Sequence, residues 1–199
     1  MSSKKRIVVL VSGAGSNLSA LLRADLGIGQ VVLVASDRDS AGGLERAQQA
    51  GIPTRVVPPA DFPDRAAWDT GLAEALAPAE PDLLVLAGFQ RLLGPELPKR
   101  YPTLNVHPSL LPAFPGQRAV EQALAWGVRV TGCTVHFVDE GVDTGPVIAQ
   151  EAVAVEPDDT PQSLHARIQA VEHRLLPACV ALACADRLVV EGRRVTVRS

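Results

Sequence analysis

Cysteine is scarce in this chain, with three among 199 residues: Cys133, Cys179 and Cys184. No pair has C-x-x-C spacing and the number is odd. That excludes a disulfide framework and points to free buried thiols in a reducing compartment. No His, Cys and Asp residues cluster at metal-ligand spacing, so no catalytic metal is expected. Long apolar runs are also missing. No window approaches the ~18 apolar residues of a membrane span. The start, "MSSKKRIVVLVSGAG", imitates a signal peptide, but its apolar run is too short for one, and a first strand is expected instead. Nor is there an excess of positive charge. Lys and Arg number 19 against 22 Asp and Glu, and a net charge of -3 gives no global attraction for nucleic acid. Repeats, low-complexity segments and linkers are absent as well. What remains, 47% hydrophobic and 21% charged residues, suits one globular domain over 1–199 with a core that needs no staples. The expected setting is cytoplasmic, without membrane or nucleic-acid partners.

Apolar runs alternate with helical patterns. "RIVVLVS" (6–12), "QVVLVASD" (30–37), "TRVVP" (54–58), "DLLVLAG" (82–88) and "TLNVH" (103–107) read as strands. Between them, "SNLSALLRA", "GLERAQQAG" and "DRAAWDTGLAEALA" read as helices. Strands that are apolar throughout and separated by helices indicate a parallel sheet covered on both faces. In the second half, "VRVTGCTVHFV" and "GPVIAQEAVAV" read as two longer strands joined by "DEGVDTG". A long helix follows, with Thr160 as N-cap, Pro161 at the first helical position, and Leu164, Ile168, Val171 and Leu175 on one face. "RLVVEGRRVTV" reads as a hairpin turning at Glu191-Gly192. The expected fold is α/β: an open, mostly parallel Rossmann-like sheet with helices on both faces, an antiparallel extension, a long C-terminal helix and a small hairpin.

In such sheets ligands sit at the carboxyl ends of the strands. The first strand runs into "SGAGSNL" (12–18), where glycines allow close backbone approach and a helix start offers free N–H groups to an anion. Ser16 and Asn17 can add side-chain donors. Leu18 breaks the dinucleotide pattern G-x-G-x-x-G, and G-K-[ST] is missing, so a single phosphate is expected. The alternative is a plain glycine turn capped by Ser16. At the fifth strand's end, Asn105 and His107 are two apart and share a face. A carboxamide and an imidazole so placed can stabilise an oxyanion. Pro108, Pro112 and Pro115 then hold the chain extended. The loop "VDEGVDTGP" (138–146) offers Asp139, Glu140 and Asp143, any of which could orient His107 as an acid commonly does for a catalytic histidine. It does not fit a calcium loop, and a solvated turn is the bland alternative. His136 reads as structural, and His165 and His173 fall on the last helix.

These segments together resemble the phosphoribosylglycinamide formyltransferase family. The carriers are "VLVSGAGSNLSAL", "LAGFQRLL", "NVHPSLLPAFPG", "TGCTVHFVDEGVDTGPVIAQ" and "RIQAVEHRLLP", which span essentially the whole chain. "HPSLLPAFPG" alone marks only the wider group acting on 10-formyltetrahydrofolate, whereas "SGAGSNL" points to a phosphorylated ribose. The extra domains of methionyl-tRNA formyltransferase and formyltetrahydrofolate deformylase are not expected. The resemblance implies a catalytic trio of Asn105, His107 and Asp143. It implies that Gly15, Ser16, Asn17, Pro108, Gln169 and Glu172 bind the ribonucleotide. Arg91, Leu92, Asn105, Asp139, Glu140, Gly141 and Val142 would bind 10-formyltetrahydrofolate as co-substrate. Residues 1–100 would form the ribonucleotide half and 101–199 the folate and catalytic half, in a monomer or homodimer. The chain departs from the family at Gln90, where an apolar residue is common, and at Gln117 and Arg118, where others have a histidine or small residues.

The implied reaction is direct attack of the glycinamide amine on the formyl carbon. Asn105 and a protonated His107 would bind the oxyanion, and Asp143 would raise the His107 pKa to keep it cationic. Rival readings are a 10-formyltetrahydrofolate hydrolase, a sugar-nucleotide amine formyltransferase and a non-catalytic nucleotide-binding module. Ser109 is only a distant candidate nucleophile.

Overall fold

A computed structural model describes residues 4–198. Among the described residues, nine strands form one sheet in the order β3-β2-β1-β4-β5-β6-β7-β9-β8. The parallel part comprises β1 (Lys5–Val11), β2 (Gly29–Ser36), β3 (Thr54–Val56), β4 (Leu83–Leu86) and β5 (Thr103–His107). Helices α1 (Ser16–Arg23), α2 (Gly42–Gln49) and α3 (Arg65–Leu76) connect its first strands. The chain works outward from β1 to β3 and then crosses back to β4 on the other side of β1. That reversal opens a crevice at the carboxyl ends of β1 and β4, where ligands bind in open sheets of this kind.

Alternation along β1 explains why both faces are covered. Ile7, Val9 and Val11 pack with α1 and the long helix α6 (Pro161–Cys184), while Val8 and Leu10 pack with Trp68, Leu72 and Leu76 of α3. All five strand residues are fully buried. A stretch apolar at every position, as from Ile7 to Val11, is stable between two helical layers.

Strand β6 (Val130–Phe137) runs antiparallel to β5, and β7 (Val147–Ala154) antiparallel to β6. The tail hairpin, β8 (Leu188–Glu191) and β9 (Arg194–Val197), turns through Gly192 and joins the sheet at a single register pair, Val147 with Arg194. Helix α6 begins as expected. The Thr160 hydroxyl accepts from the Ser163 N–H, Ser163 reaches back to the Thr160 N–H, and Pro161 leads the helix. Its buried face differs in one place: Leu176 rather than Leu175 is fully buried, because the 3.6-residue turn carries the stripe forward to Cys179 and Val180. The three cysteines are free and buried, and burial pushes the Cys133 and Cys179 thiols up to about 12. Among the described residues, no helix is long and apolar enough to cross a membrane.

The proline-rich segment after β5 is not extended. It folds back through tight turns, with Phe114, Gly116 and Arg118 at positive φ. Two helices without a counterpart in the sequence reading flank the crevice: α4 (Glu96–Arg100) and α5 (Ala119–Trp126).

Candidate active site

The crevice is a cleft of about 1130 Å³. Every residue assigned to substrate, co-substrate or catalysis on sequence grounds lines it. So do Gln90, Gln117 and Arg118.

One end is the turn from β1 into α1. Gly15 caps the helix in the left-handed region, φ 76°, and no side chain caps its leading N–H groups. These amides are therefore free for an anion. The Ser16 hydroxyl faces the turn, with Gln169 Nε2 3.5 Å away. Asn17 is placed differently from the expectation of a phosphate donor. Its buried carboxamide donates to Glu172 Oε2 at 2.9 Å, a link across 155 residues. Burial pushes the Glu172 carboxyl up, partly countered by that hydrogen bond. Arg46, absent from the sequence reading, braces the turn from α2: Nε donates to the Ala14 carbonyl at 2.7 Å and Nη1 to Ser19 Oγ at 3.2 Å.

At the other end stands a polar cluster. Asn105 and His107 share one face of β5 as their spacing requires. Among the three acids of the 139–145 loop, Asp143 alone reaches them. Its Oδ2 lies 3.3 Å from His107 Nδ1 and accepts from the Gly116 N–H at 2.7 Å. Its Oδ1 accepts from Asn105 Nδ2 at 3.3 Å. Asp139 instead closes its own loop on Gly141 and Thr144, and Glu140 pairs with Lys99 of α4 at 2.9 Å.

His136 belongs to the cluster, which sequence reasoning missed. It is buried, pairs in register with Asn105, accepts from Asn105 Nδ2 through Nε2 at 3.2 Å, and sits 3.6 Å from Asp143 Oδ1. Its Nδ1 donates to the Phe137 carbonyl, which fixes that tautomer. Only the β5–β6 register could have revealed this. His165 lines the cleft; His173 does not.

The electrostatics correct one expectation. Burial lowers the His107 pKa, and attraction by Asp143 and the Phe114 carbonyl offsets this only in part. The ring is therefore neutral near pH 7 in the free protein, not cationic. Nε2 holds its proton, since it lies 2.8 Å from the Phe114 carbonyl, which can only accept. Nδ1 is then a base facing Asp143. For Asp143, burial pushes up, but the imidazoles of His136 and His107 and the Gly116 N–H outweigh it and hold the carboxyl below the usual range.

Both shifts make the fold acid-sensitive. An unfolded His107 titrates near 6.5, above its folded value, so the unfolded chain binds the extra proton first as pH falls. Stability is full above that range and declines below it. Replacing His107 by Gln should flatten the fall in melting temperature between about pH 7 and 5, with His173, also lowered by burial, leaving a residual slope. An unchanged slope would contradict the direction of the shift.

The formyl transferase family pattern matches residues 5–180. The chain belongs to the formyl transferase family. It is similar to phosphoribosylglycinamide formyltransferase of Mycobacterium tuberculosis H37Rv, 48% identical over 200 residues, covering 98% of this chain and 93% of that protein. It is also 45% identical over 197 residues to the trifunctional purine biosynthetic protein adenosine-3 of Bos taurus, covering 96% of this chain but only 20% of that longer protein. Among solved structures, glycinamide ribonucleotide transformylase 1 from Symbiobacterium toebii superposes with a TM-score of 0.96 at 48% identity, covering 100% of this chain and 96% of that one. The Rossmann-like α/β sheet is thus that of this formyl transferase family, and the chain is a formyl-transferring enzyme.

Proposed function

We propose that this formyl transferase moves the formyl group of 10-formyltetrahydrofolate to the amine of 5'-phosphoribosylglycinamide, giving formylglycinamide ribonucleotide and tetrahydrofolate in de novo purine biosynthesis. The observation that carries the reading is a single cleft bordered at one end by an uncapped glycine turn and at the other by Asn105, His107 and Asp143. A small sugar phosphate with a terminal amine spans such a cleft. The names of the relatives support the same substrate.

The phosphate would sit on the amides of Gly15, Ser16 and Asn17, with Glu172 and Gln169 at the ribose and Pro108 beside it. The donor would lie along Arg91, Leu92, Asn105, Asp139, Glu140, Gly141 and Val142. Its flat apolar parts fit there, since Leu92 and Val142 are large apolar side chains left exposed, and both line the cleft. Residues 1–100 supply the phosphate turn and 101–199 the cluster and acidic loop, with Arg91 and Leu92 reaching the donor from the first half. We read the enzyme as cytoplasmic, acting on small molecules as a monomer or homodimer.

Holding amine and formyl carbon side by side removes much of the entropic barrier to their reaction. Attack creates an oxyanion. It would take the place of the Phe114 carbonyl on His107 Nε2 and draw an N–H from Asn105, whose present bonds of 3.2 and 3.3 Å are long. The proton shed by the amine would rest between His107 Nδ1 and Asp143 before reaching the leaving nitrogen. The imidazolium therefore forms during the reaction, not before it. No covalent enzyme intermediate is required, and the Ser109 hydroxyl is committed to the Ala113 carbonyl.

Release of tetrahydrofolate tests the reading. Release only when the ribonucleotide is added supports it. Release without ribonucleotide identifies a hydrolase, and none at all a binding module. Ser16→Asp places a negative charge in the phosphate seat. It should raise the ribonucleotide KM at least about tenfold more than the donor KM, since charge-assisted bonds are worth roughly 1.5–3 kcal/mol. Equal rises would refute the seat.

A further inference from the structure

Asp37 has no place in the chemistry above, yet it is a buried charge beside the cleft residue Arg91. It follows the last residue of β2, and its carboxylate is fully buried, 0% exposed. A charge so buried is retained only when it is closely paired. Arg38 approaches Oδ2 with Nη2 at 2.9 Å and Oδ1 with Nε at 3.3 Å. Arg91 donates to Oδ2 from Nε at 3.0 Å. The Ser12 hydroxyl, which favours the ionised Asp37 carboxyl, accepts from the Gln90 N–H at 2.9 Å. One carboxylate oxygen thus holds two guanidinium groups together, and the same hydroxyl ties down the backbone next to Arg91.

The arrangement at Arg91 is selective. Only Nε is engaged, on the inner edge of the guanidinium. The side chain is 49% exposed, and Arg91 lines both the main cleft and an adjoining cavity of about 320 Å³ shared with Arg65, Trp68 and Leu92. The two outer Nη groups carry no protein partner among the described residues. They form a planar N–H fork suited to bidentate binding of a carboxylate. A free arginine samples many rotamers, and ordering it at binding costs affinity. Anchoring Nε removes much of that cost in advance.

We infer that Asp37 is a positioning residue for the formyl donor: it grips Arg91 by Nε and aims the remaining fork at the donor's carboxylate-bearing end. The inference rests on the proposed function, because the carboxylates are the donor's only anionic groups. Asp37 touches no substrate itself. Arg38 shares the charge, so the buried carboxylate is matched without drawing Arg91 inward.

Equilibrium binding separates this inference from the reaction assignment, since it needs no turnover. Calorimetry with tetrahydrofolate and with its analogue lacking the glutamate moiety gives the contribution of the carboxylates. Wild type should bind tetrahydrofolate the more tightly. Asp37→Asn should weaken tetrahydrofolate by up to about tenfold, the cost of ordering Arg91 at binding instead of in advance, and leave the truncated analogue almost unchanged. Adding Asp37→Asn to Arg91→Ala should cause little further loss, because the grip then has nothing to hold. Arg91→Lys, which keeps the charge but has neither fork nor Nε, should lose most of the preference and be insensitive to Asp37→Asn. It also remains informative should the Asp37 variant fail to fold. In turnover, Asp37→Asn should raise the donor KM by the same factor, with kcat and the ribonucleotide KM within about twofold. Equal weakening of both folates, additive losses in the double variant, a wild-type preference kept by Arg91→Lys, or no wild-type preference would each overturn the inference. If the preference behaves as described but no formyl group is transferred, the proposed function fails while the role of Asp37 stands.

Discussion

Asp143→Asn should lower turnover by roughly 10³-fold, within the span covered by loss of a positioned acid–base group, while ribonucleotide affinity changes by no more than about threefold. The geometry requires a carboxylate at this position. Asp143 accepts on one oxygen from Gly116 N at 2.7 Å and faces His107 Nδ1 at 3.3 Å; on the other it accepts from Asn105 Nδ2 at 3.3 Å. An amide has one acceptor oxygen and one NH₂. Whichever way it turns, it sets its NH₂ against either the Gly116 N–H or the Asn105 NH₂. It also removes the negative charge that, in the proposed mechanism, would let His107 take a second proton as the amine releases one. In the proposed function, ribonucleotide affinity would depend on the amides at the start of α1, carried by other elements, so the two quantities should separate. Single-turnover rates and calorimetric affinity measure them independently. Turnover within tenfold of wild type would count against the role of Asp143.

The second large effect is expected at the opposite end of the cleft. Gly15→Ala should raise the ribonucleotide KM roughly 100-fold and leave the donor KM within about threefold, the pattern of lost ground-state binding at one seat. Gly15 has φ 76°, where an L-residue costs ~1–2 kcal/mol. More severely, a Cβ there would lie 2.5 Å from Gly43 Cα. That contact is backbone against backbone, so no side chain can swing aside, and the turn or the start of α2 must move. Gly13 offers the comparison: its φ is ordinary and a Cβ would meet nothing within 4 Å. Gly13→Ala should therefore hardly change the melting temperature, and Gly15→Ala should lower it. Equal melting temperatures together with an unchanged ribonucleotide KM would mean that the turn does not hold the phosphate.

Local signals explain what was legible beforehand. Strand β5 was readable to the residue because Pro102 and Pro108 bracket a short apolar run. Helix α6 announced its start through Thr160 and Pro161. Asn105 and His107 could be placed on one face because strand periodicity is strictly two. What escaped depends on contacts across long sequence separations. The commitment of Asn17 to Glu172 spans 155 residues, and the bracing of Ala14 by Arg46 spans 32. His136 looked structural because nothing local says which residue of β6 opposes Asn105. The neutral state of His107 follows from burial, which the back-folded proline segment creates. That segment read as extended because proline excludes helix, but proline does not forbid turns, and Phe114, Gly116 and Arg118 supply the positive φ angles that reverse the chain.

The claim beneath all of this is that one small molecule bridges the two ends of the cleft. A crystal structure with glycinamide ribonucleotide bound tests it most directly. The phosphate is expected on the amides of Gly15, Ser16 and Asn17, with the amine nitrogen directed into the cluster and within roughly 3–3.5 Å of where the formyl carbon must lie, beside Asn105 and His107. A phosphate seated elsewhere, or an amine turned away from His107 toward solvent, would contradict it.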